Sequence, residues 1–195
     1  MELGLTGRKA LVFGSSAGLG RAVAAALVAE GAAVVVTSRD PDRAASTASD
    51  LGAVGSVTVD LTVAGEGARA VADAATLLGG LDICVVNTGG GKPGPILATD
   101  GADDAAYASM LRPVLEISRA AAPFVTNPER PGRLVYMTAR SMVEATPELA
   151  LSSVFRSGVN ALARSLALEL APGATVNVVV TGQFDTGALS RFEAA

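Results

Sequence analysis

The stretch ALVFGSSAGLGRAVAAALVAE, residues 10 to 30, decides the fold. It reads as three pieces. Ala10–Phe13 is a short apolar run without polar alternation, the pattern of a strand buried on both faces. Leu19–Glu30 has the apolar spacing of a helix, and Gly31 stands where that helix should stop. Between them lies a glycine-rich turn. Gly14 permits a tight bend, Gly18 lets the backbone approach a phosphate, and Gly20 lets the helix pack closely on the strand. A helix that begins on such a turn offers free N–H groups and the positive end of its dipole. Gly14, Ser15, Ser16, Gly18, Leu19 and Gly20 are therefore candidate phosphate contacts for a dinucleotide. Glycine spacing alone is weak evidence; the position between a first strand and a first helix gives it weight.

The rest of the chain repeats the strand–helix alternation. Ala33–Thr37, Val57–Val59, Ile83–Val86, Leu134–Met137 and Val176–Val180 read as further strands buried on both faces. Asp42–Leu51, Gly65–Leu78, Asp104–Ala122 and Leu151–Leu170 read as helices. Gly79 and Gly80 mark a helix stop, Pro41 suits a first helical turn, and Pro113 should kink or split its helix. This order predicts an α/β fold: a Rossmann-type, doubly wound parallel sheet with helices on both faces. A length of 195 residues suits one domain, taken as 1–195. Ligands of such sheets bind at the carboxyl ends of the strands, near the point where strand order reverses.

Composition narrows the function classes. The net charge of −4 argues against a nucleic-acid partner, which needs a basic surface. No apolar run is long enough to cross a membrane, and no signal-peptide pattern opens the chain, so cytoplasmic location is the default. The chain has no histidine and one cysteine, so a metal site is not expected. Cys84 sits in an apolar run and reads as a core residue.

The second strand ends in Thr37-Ser38-Arg39-Asp40. An acidic residue here takes the ribose hydroxyls of NAD, whereas an arginine accommodates the 2′-phosphate of NADP. Ser38 and Arg39 point to NADP; Asp40, next door, keeps NAD open.

The motifs together resemble the short-chain dehydrogenase/reductase family. The resemblance rests on GxxxGxG after the first strand, Val59-Asp60-Leu61 after the third and Asn87-Thr88-Gly89-Gly90 after the fourth. Gly132-Arg133-Leu134-Val135 leads into the fifth strand, and Thr181-Gly182-Gln183-Phe184-Asp185-Thr186 follows the sixth. The Asn87-Thr88-Gly89-Gly90 variant, followed by a Gly/Pro-rich stretch, resembles a divergent subgroup similar to β-ketoacyl-carrier-protein reductases. The resemblance implies that Asp60 contacts the adenine with Leu61 a further cofactor-binding residue, that Asn87 and Gly89 line the cofactor cleft, and that Thr186 lies at the nicotinamide end. It also implies self-association through the fourth and fifth helices, as a dimer or tetramer, across Ala120–Ala122, Ala161, Ala163, Leu166 and Leu168. Relatives continue past the Thr186 loop into a substrate-covering segment and a last strand. Here the chain stops at Ala195, so the final strand is expected to be missing.

The family's catalytic residues do not carry over. Active members use a Tyr and, four residues later, a Lys, with a Ser at the end of strand five and an Asn on the fourth helix. Those positions fall on Ser152, Arg156, Ala139 and, approximately, Met110. A tyrosine of pKa about 10 beside an ammonium can protonate a substrate oxygen. Ser152 is shorter and less acidic, Arg156 keeps the charge with a different geometry, and Ala139 offers no hydrogen bond. Ser141, just past strand five, is a candidate replacement hydroxyl. Tyr136-x-x-x-Arg140 copies the spacing but lies inside a strand, so Tyr136 reads as packing. Candidate catalytic residues are therefore Ser152, Arg156 and Ser141, with Arg156 also a candidate for the cofactor's ribose.

Two readings follow. One is an NAD(P)-dependent oxidoreductase with an altered acid–base site, acting on a small carbonyl or β-keto substrate. The other is a catalytically inactive cofactor-binding homologue, serving as a sensor or partner subunit. Non-redox chemistry on a ketide-like substrate, using Ser152 or Arg156, is a third and weaker reading.

Overall fold

The computed structural model describes residues 3–185, so Thr186 lies outside the described residues. Six strands form its sheet: β1 (Lys9–Val12), β2 (Ala33–Ser38), β3 (Gly55–Thr58), β4 (Ile83–Asn87), β5 (Gly132–Ala139) and β6 (Ala174–Thr181). The helices are α1 (Gly18–Ala29), α2 (Pro41–Leu51), α3 (Glu66–Leu78), α4 (Asp103–Met110), α5 (Arg112–Val125) and α6 (Ala150–Glu169). All strand pairs are parallel, and the order is β3-β2-β1-β4-β5-β6. The order reverses between β1 and β4, which opens the crevice where such sheets bind ligands.

Alternate residues of each central strand build two cores. Leu11, Phe13, Val35, Cys84, Val86, Leu134 and Tyr136 pack with residues of α3, α5 and α6. Ala10, Val12, Val34, Val36, Ile83 and Val85 pack on the other face, with Ala24 of α1 and Ala48 of α2. The continuous apolar runs of β1, β2 and β4 thus follow from burial on both faces.

β5 and β6 depart from that expectation. In β5, Leu134, Tyr136 and Thr138 are buried while Val135, Met137 and Ala139 are only half-buried. In β6, Val179, on the same face as Val135 and Met137, is 42% exposed. α1 and α2 cover the β1–β2 side of the sheet, and among the described residues no helix follows β6 to cover the corresponding face of β5–β6.

The helix expected over Asp104–Ala122 is split. α4 ends at Met110 and α5 starts at Arg112, with Pro113 in its first turn, where its missing N–H costs nothing. Gly31 and Gly79 follow the ends of α1 and α3 with φ of 80° and 68°. Two residues expected on an outer association face lie inside instead: Ala121 is fully buried and Ala163 is 3% exposed. Both fill the inner core, because they sit on the stripes of α5 and α6 that face the sheet.

Candidate active site

The carboxyl ends of β1, β2, β4, β5 and β6 wall a cleft of about 1400 Å³. The glycine-rich turn forms one side. Gly14 has φ of 61°, and a side chain there would also meet the Asn87 backbone oxygen at 2.8 Å. A Cβ on Gly20 would collide with the Gly14 carbonyl. Asn87 Nδ2 donates to that carbonyl at 3.3 Å, tying the end of β4 to the turn across the switch point. α1 starts with no side-chain cap on its free N–H groups, which leaves an anion as their natural acceptor. Small residues, a close backbone and an uncapped helix start fit a dinucleotide's pyrophosphate.

Ser15 takes a different place from the one expected. It is fully buried. Its Oγ donates to Val12 O and accepts the Thr37 N–H, both at 2.7 Å. Its own N–H donates to Thr37 O. Both its polar groups are thus engaged inside the protein, while Gly14, Ser16, Gly18 and Leu19 line the cleft. Gly20 is buried beneath the turn.

Ser38, Arg39, Asp60 and Leu61 line the end of the cleft beyond β2 and β3. Asp40 is occupied: its Oδ1 accepts the Arg43 N–H at 3.0 Å, capping α2. Asp60 Oδ1 accepts the hydroxyl and the N–H of Thr62 at 2.7 and 2.9 Å, and these bonds hold its carboxyl below the usual carboxylate range. Asp42, Arg43 and Thr62 join this end without having been singled out in the sequence. Their signal was present, since Asp42 and Arg43 occupy the first turn of a helix starting at the strand end.

At the other end, Asn87 and Gly89 line the cleft with Thr88, Gly90, Ser109, Thr138, Ala139, Arg156 and Thr181. Met110, which the resemblance sets at the Asn position, is fully buried. Its neighbour Ser109 faces the cleft and donates to Gly90 O at 3.0 Å.

The three candidate catalytic residues come together. Ser141 Oγ and Ser152 Oγ lie 3.0 Å apart, and Arg156 Nε donates to Ser152 Oγ at 3.1 Å. Arg156 also donates to Gly89 O at 3.2 Å and to Met137 O at 3.4 Å, so α6 is clamped to the ends of β4 and β5. Ser141 is 4% exposed, and neither serine is among the residues that wall the cleft, whereas Arg156 is. Burial pulls the Arg156 guanidinium below its usual value; it remains charged at neutral pH. Tyr136 is 1% exposed and its hydroxyl lies 2.6 Å from Ser118 Oγ, so it belongs to the core.

Comparison with known proteins gives this geometry a family. Residues 14–195 match the family model described as enoyl-(acyl carrier protein) reductase. The chain belongs to the short-chain dehydrogenase/reductase family, whose members are oxidoreductases. It is 32% identical over 173 residues to L-xylulose reductase of Mesocricetus auratus, covering 88% of this chain and 69% of that protein. The structure of 3-ketoacyl-(acyl-carrier-protein) reductase from Brucella melitensis, complexed with NADH, superposes with a TM-score of 0.87 at 26% identity, over 95% of this chain and 80% of that one. A short-chain dehydrogenase from Burkholderia cenocepacia, in complex with NADP, gives 0.85 at 31% identity, over 94% and 77% of the two chains. Among the described residues, no helix is long and apolar enough to cross a membrane.

Proposed function

We propose that this chain binds NADP(H) and that its cleft receives a small carbonyl or β-keto substrate at an altered acid–base site. The observation that carries the reading is the Gly14–Gly20 turn braced by Asn87, beside the uncapped start of α1. Gly14, Ser16, Gly18 and Leu19 would hold the pyrophosphate, Ser38 and Arg39 the 2′-phosphate, Asp60 and Leu61 the adenine, and Asn87 and Gly89 the nicotinamide side. Thr186 is assigned to that side by the resemblance alone. NADP is favoured over NAD because the Asp40 carboxylate caps α2 and so competes poorly for ribose hydroxyls. When bound, the cofactor supplies a hydride.

The chain's own residues must then stabilise the substrate oxygen as it gains charge. Ala139 lines the cleft without a donor, and the Ser152 hydroxyl is engaged with Ser141 and Arg156. Arg156 is the one cation lining that end of the cleft. Replacing a phenol donor by this set should lower general acid catalysis by about 10²–10⁴-fold. A second reading, cofactor binding without turnover in a sensor or partner subunit, is favoured by the same three positions.

The test is direct. NADPH should bind saturably, and its 340 nm absorbance should fall slowly, or not at all, with β-keto substrates. Absence of NADPH binding would remove both readings; turnover at an ordinary enzyme rate would remove the altered site. Self-association is also proposed, through the outer faces of α5 and α6, where Phe124 and Leu168 are 45% and 84% exposed. Sedimentation showing only monomer at micromolar concentration would count against it.

A further inference from the structure

Arg156 differs from the other half-buried arginines in its charge balance. Arg8 faces Asp82, Arg21 faces Asp50 and Arg112 faces Glu116. Arg156 has no carboxylate partner among the described residues. Its bonds go to a serine hydroxyl and to the carbonyls of Met137 and Gly89, all neutral. Three of the five guanidinium N–H bonds are thereby engaged, which leaves two for a ligand.

A half-buried cation without a counter-ion is unfavourable unless something supplies the missing charge. The lowered affinity of Arg156 for its proton reflects that desolvation. The surroundings do not supply an anion. The other charged residues that line the cleft, Arg39, Asp40, Asp42, Arg43 and Asp60, cluster at the ends of β2 and β3, and Arg156 is the one charged lining residue at the opposite end. The glycine turn and the start of α1 already provide donors for a pyrophosphate. An arginine fixed on several sides is a poor general acid but a good carboxylate receptor, because its planar fork matches two oxygens. Ala139, with no polar group of its own, lines the same end of the cleft.

We infer that Arg156 selects an acidic substrate, receiving the carboxylate of a free keto acid in the cleft, in preference to the corresponding neutral ester. This rests on reading the cleft as the meeting place of a nicotinamide cofactor and a carbonyl compound. Ser152 is a positioning residue here. It accepts from Nε and fixes the plane of the guanidinium, and it is itself held by the buried Ser141.

The test uses acetoacetate and methyl acetoacetate, which share the ketone and differ in charge. Calorimetric titrations are run on the free protein and on the NADPH-loaded protein. Acetoacetate should bind about 10- to 100-fold more tightly than the ester in the loaded protein, the range expected for a charge-assisted pair. Arg156→Gln should abolish the preference, and Arg156→Lys, which keeps the charge, should retain part of it. Ser152→Ala should lower the preference and Ser152→Thr should restore it, at unchanged melting temperature. Equal binding of the two probes, or no saturable binding of acetoacetate, overturns the inference. Acetoacetate binding only to the free protein also overturns it, because the anion then belongs to the cofactor's phosphates. Should NADPH fail to bind, the wider reading falls, and whether Arg156→Gln removes acetoacetate binding to the free protein then decides whether Arg156 receives a carboxylate. Should Arg156→Gln fail to fold, the wild-type preference and its partial survival in Arg156→Lys carry the test.

Discussion

Ser15 and Thr37 hold each other in place at the mouth of the cleft. Ser15 Oγ accepts the Thr37 N–H at 2.7 Å, and Thr37 Oγ1 accepts the Gly14 N–H at 3.0 Å. Both hydroxyls donate to Val12 O, at 2.7 and 3.3 Å. The end of β1 is thus latched to β2 where the glycine turn begins. Ser15→Ala should destabilise the protein by about 1–3 kcal/mol, the cost of leaving buried polar groups unpaired. It should also weaken NADPH binding at temperatures well below melting, because the turn loses its fixed origin. Thr37→Ser should bind like wild type, while Thr37→Val should not. If Ser15→Ala lowers only the melting temperature and leaves NADPH affinity unchanged, the latch does not reach the cofactor.

Arg39 gives a cofactor-specific prediction. Arg39→Ala should weaken NADPH by about 1.5–3 kcal/mol, a charge-assisted phosphate contact, and NADH by far less. Paired titrations measure this. Equal losses for the two cofactors would move the 2′-phosphate elsewhere.

The altered acid–base site can be reversed in steps. Ser152→Tyr with Arg156→Lys should raise carbonyl reduction within the about 10²–10⁴-fold range of general acid catalysis. Adding Ala139→Ser should raise it again by supplying a donor to the developing oxyanion. Initial rates of NADPH oxidation check both. A double variant that binds NADPH but reduces no faster than wild type would locate the deficit outside these three positions. The same double variant should keep only part of the preference for acetoacetate over its ester.

Two buried acids set an alkaline limit. Burial pushes the Cys84 thiol from 9.0 up to about 12. Burial likewise pushes Tyr136 from 10.0 up to about 12, against a smaller opposite effect of its Ser118 hydrogen bond. Both folded values are raised above the unfolded ones, so their stability is fully present below pH 9 and is lost as pH rises towards 12. Melting temperature should fall across that window. Cys84→Ala should remove the earlier part of the fall and Tyr136→Phe the later part. An unchanged profile in both variants would place the alkaline loss in other groups.

Much of the fold was legible because burial on both faces writes itself as unbroken apolar runs. β1, β2 and β4 are such runs, and the glycines that stop α1 and α3 mark their neighbours. β5 and β6 looked the same in sequence, yet Val135 is only partly buried at the margin of the core under α1 and α2, and Val179, one strand further out, is 42% exposed. Hydropathy reports a residue's preference and not whether a helix arrives to satisfy it. The split between α4 and α5 was signalled by Pro113.

The site was legible where backbone geometry demands a residue type, as at Gly14 and Gly20. It was less so where a hydroxyl has a choice of partners. Ser15 and Ser16 are chemically identical in the sequence, but only Ser15 lies under Thr37, so one turns inward and the other lines the cleft. Met110 and Ser109 differ by one helical step, which is enough to exchange core for cleft.

The sheet order also governs how the chain can assemble. β1 is made first, yet it lies in the middle, with Ala10 paired to Val34 on one side and to Ile83 on the other. The near partner, β2, follows after one short helix, whereas β4 emerges only after two further helices and a strand. During synthesis, then, β3, β2 and β1 can form a half-sheet whose inner edge stands open, with the backbone of β1 unpaired along its length. Such an edge is a template for another chain until β4 arrives. The same long-range closure joins the two walls of the cleft, because Asn87 reaches Gly14 only once β4 has docked. Cofactor affinity should therefore emerge late in folding, together with closure of the central pair, and not with the glycine turn that is its most visible mark in the sequence.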